Sequence, residues 1–281
     1  MDTINQSGYS NTIGMRLLES AVQKHGPIFT IEQSKAITQK HQISDSHLRF
    51  LISSLASTGK IEIIKRGTYV VTSPLFTEDI SPFAIAAALV NPMAIAYWSA
   101  CAYHGFTNQN PIMIQAVTPK KVVTPEMRKG KAYSPRGRAA WRAHGLEYEF
   151  INISAKQFWG FDSVWVSAWH QVNVVDRERT TLDLIIRSDI FGGITAAIDL
   201  LEIALEQIDI SQLVQYAVRY KTAQVTKRLG WVLEKLGVPD DELTPLIEYP
   251  ASGYYKIDTK QTKDNASVNE RWRVIENLKR G

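Results

Sequence analysis

Ile61-Glu62-Ile63-Ile64-Lys65-Arg66-Gly67-Thr68-Tyr69-Val70-Val71 is the stretch on which the fold turns. Residues 61–64 have strand character, Lys65-Arg66-Gly67 makes a tight basic turn, and residues 68–71 return as a second strand. Working back towards the N-terminus, three helical patterns precede this hairpin. The first opens near Asn11 or Thr12, both good caps, places Ile13, Leu17, Leu18 and Ala21 on one face, and stops at Gly26-Pro27. Thr30-Ile31-Glu32-Gln33 has capping-box spacing and opens a short second helix, with Ala36 and Ile37 inward, that ends around His41. The third begins at Ser44 or Ser46 and runs to Ser57, with Leu48, Leu51, Ile52 and Leu55 as its apolar stripe and Gly59 closing it. Three helices followed by a two-stranded wing spell a winged helix-turn-helix. In that geometry the third helix enters the major groove of DNA, while the wing reaches phosphates or the adjacent minor groove. A winged helix that contacts only protein is the bland alternative, and the basic wing tip weighs against it.

The helical wheel predicts which side chains meet DNA. Opposite the apolar stripe lie Ser46, Phe50, Ser53 and Ser57, flanked by His47 and Arg49. The expected DNA-contacting set is Ser44, Ser46, His47, Arg49 and Ser53 from the helix, with Lys65, Arg66 and Tyr69 from the wing. Serines donate to phosphates or base edges, and Arg49 suits guanine or a phosphate. Phe50 is left out: it could touch thymine methyls, but an aromatic at such a position more often packs on the wing or a neighbouring domain. No second ligand lies near His47 in sequence, so it is read as a backbone or phosphate contact rather than a metal ligand.

The totals bound the rest. At 281 residues and 44% hydrophobic composition the chain fits two globular domains. No stretch approaches the roughly 18 uninterrupted apolar residues of a membrane helix. The start, Met1-Asp2-Thr3-Ile4-Asn5-Gln6, lacks the basic and apolar segments of a secretory leader, so a cytoplasmic location is expected. A single cysteine, Cys101, excludes an internal disulfide framework and a cysteine-rich zinc site. The net charge of +4 and pI near 9.0 lean weakly towards a polyanionic partner. Their distribution says more. Lys120, Lys121, Arg128, Lys129, Lys131, Arg136, Arg138 and Arg142 face only Glu126 within residues 120–142, whereas residues 176–209 are dominated by acids. Prolines 119, 125 and 135 with glycines 130 and 137 make the basic segment an extended loop or short hairpin. It is either a solvated face or a second electrostatic contact with nucleic acid.

Residues 74–82 contain two prolines and no periodicity, and read as a linker between a winged-helix domain at 1–73 and a larger domain at 83–281. Beyond it, helices are expected at 83–90 and 94–104. Strands follow at 112–117, 146–153 and 164–175, helices at 177–188, 193–207, 210–219 and 222–236, and short strands at 254–257 and 272–275. The fold class is α+β, a winged helix-turn-helix followed by a mixed domain with a helical second half.

Within that domain, Tyr97-Trp98-Ser99-Ala100-Cys101-Ala102-Tyr103-His104-Gly105-Phe106-Thr107 resembles the "YWSALxxHGLT" segment of AbiEi-type antitoxins. Val174-Val175-Asp176-Arg177-Glu178-Arg179-Thr180-Thr181-Leu182-Asp183 is similar to their "VxDxERTLLD" element. Gly192-Gly193-Ile194, Arg219-Tyr220, Lys227-Arg228-Leu229-Gly230, Gly253-Tyr254-Tyr255-Lys256-Ile257-Asp258 and Arg271-Trp272-Arg273-Val274-Ile275-Glu276-Asn277 follow in the family's order, so the resemblance spans nearly the whole chain. It implies the antitoxin of a type IV toxin–antitoxin and abortive-infection system. Its winged helix would bind inverted operator repeats in double-stranded DNA and repress its own operon. The second domain would counter a nucleotidyltransferase toxin without forming a stable complex with it. Some relatives stand without a toxin and act as plain regulators.

The residues give little support to an enzyme. Asp176, Glu178 and Asp183 close a strand and open a helix, where a nuclease could hold a metal. Yet no Asp…Glu-X-Lys spacing is present, and Asp176 as a helix cap with Glu178 near the positive helix end is the simpler account. His104 before Gly105 is read as capping helix carbonyls, and Cys101 as core. Ile190-Phe191-Gly192-Gly193 lacks the lysine and spacing of a phosphate loop. Neither catalytic nor metal residues are assigned, and no cofactor is expected. The rival readings are a stand-alone regulator with a ligand-sensing domain, or a nucleic-acid-processing enzyme targeted by its winged helix. Oligomeric state stays open.

Overall fold

The computed structural model describes residues 3–39, 42–73, 79–130, 138–263 and 266–278, with backbone alone for 3–12. The first helix, α1 (Thr3–His25), starts well before Asn11, the expected cap. Asn and Thr are only modestly poor helix formers, so a turn already formed propagates through them. A strand not foreseen in the sequence, β1 (Ile28–Thr30), follows. Then comes α2 (Ile31–Thr38), whose capping box is complete: Gln33 N–H donates to Thr30 Oγ1 at 3.2 Å and Thr30 N–H to Gln33 Oε1 at 2.7 Å. Its end at Thr38 falls short of the expected His41, which lies outside the described residues.

Ser44 caps α3 (Asp45–Ser57), its hydroxyl accepting from His47 N–H at 3.3 Å. Leu48 and Leu51 are fully buried, and burying each contributes roughly 1.5–3 kcal/mol. With Ile52 and Leu55 they pack on Leu17, Leu18 and Ala21 of α1, closing the core of the module. The wing strands β2 (Ile61–Lys65) and β3 (Thr68–Val71) pair antiparallel, and β1 joins the outer side of β3, giving the order β1-β3-β2. The α+β winged helix-turn-helix pattern of the sequence is thus present, with one strand more.

Of the expected linker, residues 74–78 lie outside the described residues. Pro82 is the first residue of a helix, α4 (Pro82–Leu89), where a missing N–H costs nothing. The compact unit that contains the winged helix comprises residues 1–93, 120–152 and 163–173. Its later part includes the short helix Pro125–Arg128 and the antiparallel hairpin Arg138–Ala143/Leu146–Asn152. The basic segment thus ends in the first strand of a hairpin, as one of its two expected forms had it, and also holds an unexpected helical turn, while 131–137 lie outside the described residues.

The second unit comprises residues 94–119, 153–162 and 174–281. Ala94–Ile95 is a buried strand rather than the start of a helix, pairing antiparallel with Ile114–Thr118 and parallel at Val174. The helix expected from residue 94 begins only at Tyr97 and runs to His104. The single strand expected at 164–175 is two, Phe161–Trp165 and Gln171–Val175, because Ser167 Oγ accepts from Trp169 N–H (3.2 Å) and His170 N–H (3.1 Å) and turns the chain between them. The helical second half consists of Arg177–Ile186, Ile194–Leu205, Ile210–Tyr220 and Ala223–Lys235, all expected, and Asp240–Ile247, which was not. A small sheet ends the chain, Val274–Glu276 lying between Tyr255–Lys256 and Ser267–Asn269. No helix among the described residues is long and apolar enough to cross a membrane.

Candidate nucleic-acid interface

The open face of α3 follows directly from its buried one. With Leu48, Leu51, Ile52 and Leu55 inward, helical geometry turns Ser46, His47, Arg49, Phe50, Ser53 and Ser57 outward, and all six are exposed. Asp45, the only acid of the helix, is held at 3.1 Å by Lys35 of α2, so its charge is matched. Arg49 has no ion-pair partner among the described residues. The face therefore offers hydroxyls, an imidazole, one unmatched guanidinium and no unmatched carboxylate. Ser44 stands at its rim with its hydroxyl already engaged, by His47 N–H and by Ser46 Oγ at 3.0 Å.

Phe50 is not packed into the wing. It is 57% exposed, in the middle of this face, with the His47 ring edge-on at 6.2 Å between centroids. The wheel placed it there; only the assumption that an aromatic must find a protein partner kept it out of the expected interface.

The wing corrects two assignments. Tyr69 lies in the core at 6% exposure, its ring tilted against Phe29 at 5.6 Å, and burial raises its pKa. It is not available to DNA. Lys65 folds inward too, its ammonium donating to the carbonyls of Ala88 (2.7 Å) and Leu89 (3.0 Å) at the end of α4. A cation at a helix C-terminus satisfies orphan carbonyls and matches the dipole. Burial, and then the nearby Lys120, lower the Lys65 pKa from the ordinary lysine value. That leaves Arg66 as the outward cation of the wing. Gly67 beside it has φ +73° and accepts Ile31 N–H at 2.9 Å, tying the turn to the start of α2.

The basic segment separates into two kinds of cation. Lys120 donates to the Asn91 carbonyl at 2.6 Å. Arg138 meets Glu149 bidentately at 2.6 and 2.7 Å, and Arg142 faces Glu147 at 3.4 Å across the same hairpin. Lys121, Arg128 and Lys129 are exposed, without ion-pair partners among the described residues. Lys131 and Arg136 lie outside the described residues. Lys65 and Lys120 both reach carbonyls of residues 88–91, so the start of the basic segment and the Lys65 end of β2 meet the same end of α4.

In the second unit each of the three clustered carboxylates has a protein partner. Asp176 caps its helix by accepting Arg179 N–H at 2.7 Å, as expected, and also accepts the Tyr216 hydroxyl at 2.8 Å. Glu178 accepts Asp209 N–H at 2.9 Å. Asp183 is buried with Arg179, Nε to Oδ1 at 2.9 Å, and the guanidinium stacks 4.6 Å from the Trp159 ring centroid. Among the described residues no group of His, Cys, Asp and Glu is arranged to hold a metal ion. His104 does not cap its own helix: Nε2 lies 2.7 Å from the Val175 carbonyl, and αL Gly105 ends the helix. Cys101 is fully buried, and burial pushes its thiol up to about 12.

No family model and no curated protein sequence matches this chain. Among solved structures, the crystal structure of the RV2827C protein from Mycobacterium tuberculosis is similar. It has a TM-score of 0.64 at 15% identity, covering 95% of this chain and 92% of that one. At that identity the likeness is one of fold.

Proposed function

We propose that this chain is a DNA-binding transcriptional repressor and the antitoxin of a type IV toxin–antitoxin system. It represses its own operon through the winged helix and counters a nucleotidyltransferase toxin through the remainder of the chain. The observation that carries the DNA-binding half is the open face of α3, which bears the unmatched Arg49 and no unmatched carboxylate, in a module whose wing carries the outward Arg66. Lys121, Arg128 and Lys129, in the same compact unit, supply further cations suited to phosphates. The antitoxin half is supported by the ordered resemblance of residues 97–107, 174–183 and the later segments to AbiEi-type antitoxins.

Two assays test the two halves separately. The full-length protein is titrated against the DNA upstream of its own gene and against unrelated duplex, with Arg49→Ala and Arg66→Ala beside the parent. Sequence-specific binding weakened at least several-fold by Arg49→Ala is the expected result; specific binding untouched by both changes rejects this reading surface. For the antitoxin half, a nucleotidyltransferase encoded beside the gene is expressed with and without this chain. Growth arrest that the chain fails to relieve rejects that role.

A further inference from the structure

We infer that Phe50 reads the C5-methyl group of a thymine in the major groove, making it a specificity determinant of the α3 face. This rests on the DNA-binding reading above. Phe50, 57% exposed, presents apolar surface at the centre of the open α3 face; it is this place on the face, not the exposure alone, that singles it out. Its neighbours favour a groove floor as the occupant. Ser46 and Ser53, one turn before and after Phe50 on the same face, are short and polar, so the ring is the projecting feature between them. Arg49, adjacent in sequence, brings positive charge to the same side, and Lys35 matches the charge of Asp45. That combination suits a polyanion more than an acidic or an apolar protein groove.

Within the major groove the chemistry narrows further. Base edges of guanine, cytosine and adenine present nitrogen and oxygen donors and acceptors, to which a phenyl ring offers no hydrogen bond. Thymine alone among the four bases adds an apolar methyl there. A phenyl ring laid over that methyl removes apolar surface from water on both partners. The edge-on His47 ring, 6.2 Å away, stands beside Phe50 on the same face and limits the directions into which it can swing.

The experiment uses the full-length protein and the tightest duplex it selects from a randomised pool. Each thymine of that duplex is replaced in turn by deoxyuridine, which deletes the methyl and leaves every hydrogen-bonding group in place. Affinities are measured for the parent and for Phe50→Ala and Phe50→Leu, both of them changes at an exposed site, with thermal unfolding as the folding control. The expected result is one thymine position where deoxyuridine weakens the parent roughly threefold to tenfold. Phe50→Ala should be indifferent at that position, and Phe50→Leu intermediate. If no position couples to Phe50 while selection still yields a specific duplex, the inference is overturned and the DNA-binding reading stands. If Phe50→Ala weakens all duplexes alike, the ring acts on the backbone or on helix position and the inference also fails. If no specific duplex emerges and the parent self-associates where Phe50→Ala does not, Phe50 belongs to a protein interface. Both readings then fall.

Discussion

His144 holds the carboxylate of Glu62 by two groups at once: its backbone N–H donates to Oε1 at 2.8 Å, and its ring Nδ1 lies 3.0 Å from Oε2. This is possible because His144 has φ +48° in the turn between the strands Arg138–Ala143 and Leu146–Asn152, which aims amide and imidazole the same way. Glu62 lies on wing strand β2, so the hairpin in which the basic segment ends is pinned to the winged helix. Glu62→Ala removes both bonds from a partly exposed site and should cost about 1 kcal/mol of stability in urea unfolding. His144→Ala removes only the ring contact, since the backbone N–H stays, and should cost less. The double variant should lose less than the sum of the two, and strict additivity would show that the ring contact contributes nothing.

Lys65 and Arg66 are neighbours with opposite commitments, and this separates their variants. Lys65→Ala leaves the Ala88 and Leu89 carbonyls without their donor, so it should lower the melting temperature while the salt dependence of DNA binding stays the same. Arg66→Ala should leave the melting temperature unchanged and flatten the plot of log affinity against log salt by about 0.9, the share of one phosphate contact. Exchanged outcomes would mean that the wing is arranged differently when DNA is bound.

The basic segment divides in the same way. Arg138 is neutralised by Glu149, so Arg138→Ala should change the salt slope little. The triple change of Lys121, Arg128 and Lys129 to alanine should flatten it by up to about 2.7 if all three meet phosphates. An unaltered slope would make this segment a solvated face.

What the sequence made legible was periodicity; what it hid was strand register and the unflagged third strand. The α3 stripe could be written down because a 3.6-residue repeat needs no tertiary knowledge. Tyr69 was misplaced because two-residue alternation suggests one outward face. But β3 is the central strand of three, and all of Thr68–Val71 is buried. Its outer neighbour β1 is too short to announce itself by propensity. Lys65 was misplaced because the β2–β3 register shifts between Ile63 and Lys65, and a one-residue slip sends a side chain to the other face. Phe50 was placed correctly by the wheel, but it stays 57% exposed instead of packing on the wing.

Two half-buried imidazoles make the protein's stability sensitive to acid. Burial lowers the pKa of His104 and of His170 from 6.5. Unfolding returns each to water, so between the lowered folded value and 6.5 the unfolded chain binds more protons. Stability is then fully present above 6.5 and declines as pH falls through that window. For His104 the acceptor is the Val175 carbonyl, so Nε2 must carry the proton in the neutral ring. His104→Gln can still donate there but does not titrate. Melting temperatures followed from about pH 7.5 to about pH 5 should fall less steeply in this variant than in the parent. Parallel curves would assign the acid sensitivity to other groups.

Gly230 and Trp272, 42 positions apart in the numbering, touch in the fold. A Cβ built on Gly230 would fall within the indole, 2.5 Å from Cη2 and 2.6 Å from Cε3 of Trp272. The ring has no room to retreat, since Trp272 is fully buried. Two effects of Gly230→Ala therefore oppose each other. Alanine in the interior of Ala223–Lys235 favours the helix by about 1 kcal/mol. Overpacking costs about 1–3 kcal/mol or more where neither side can shift. Overpacking should win, giving a net loss in chemical denaturation. Trimming the ring reverses the balance: in a Trp272→Leu background the added methyl has space, and Gly230→Ala should become neutral or stabilising. If the substitution is equally damaging in both backgrounds, its cost comes from the helix itself and not from the contact with Trp272.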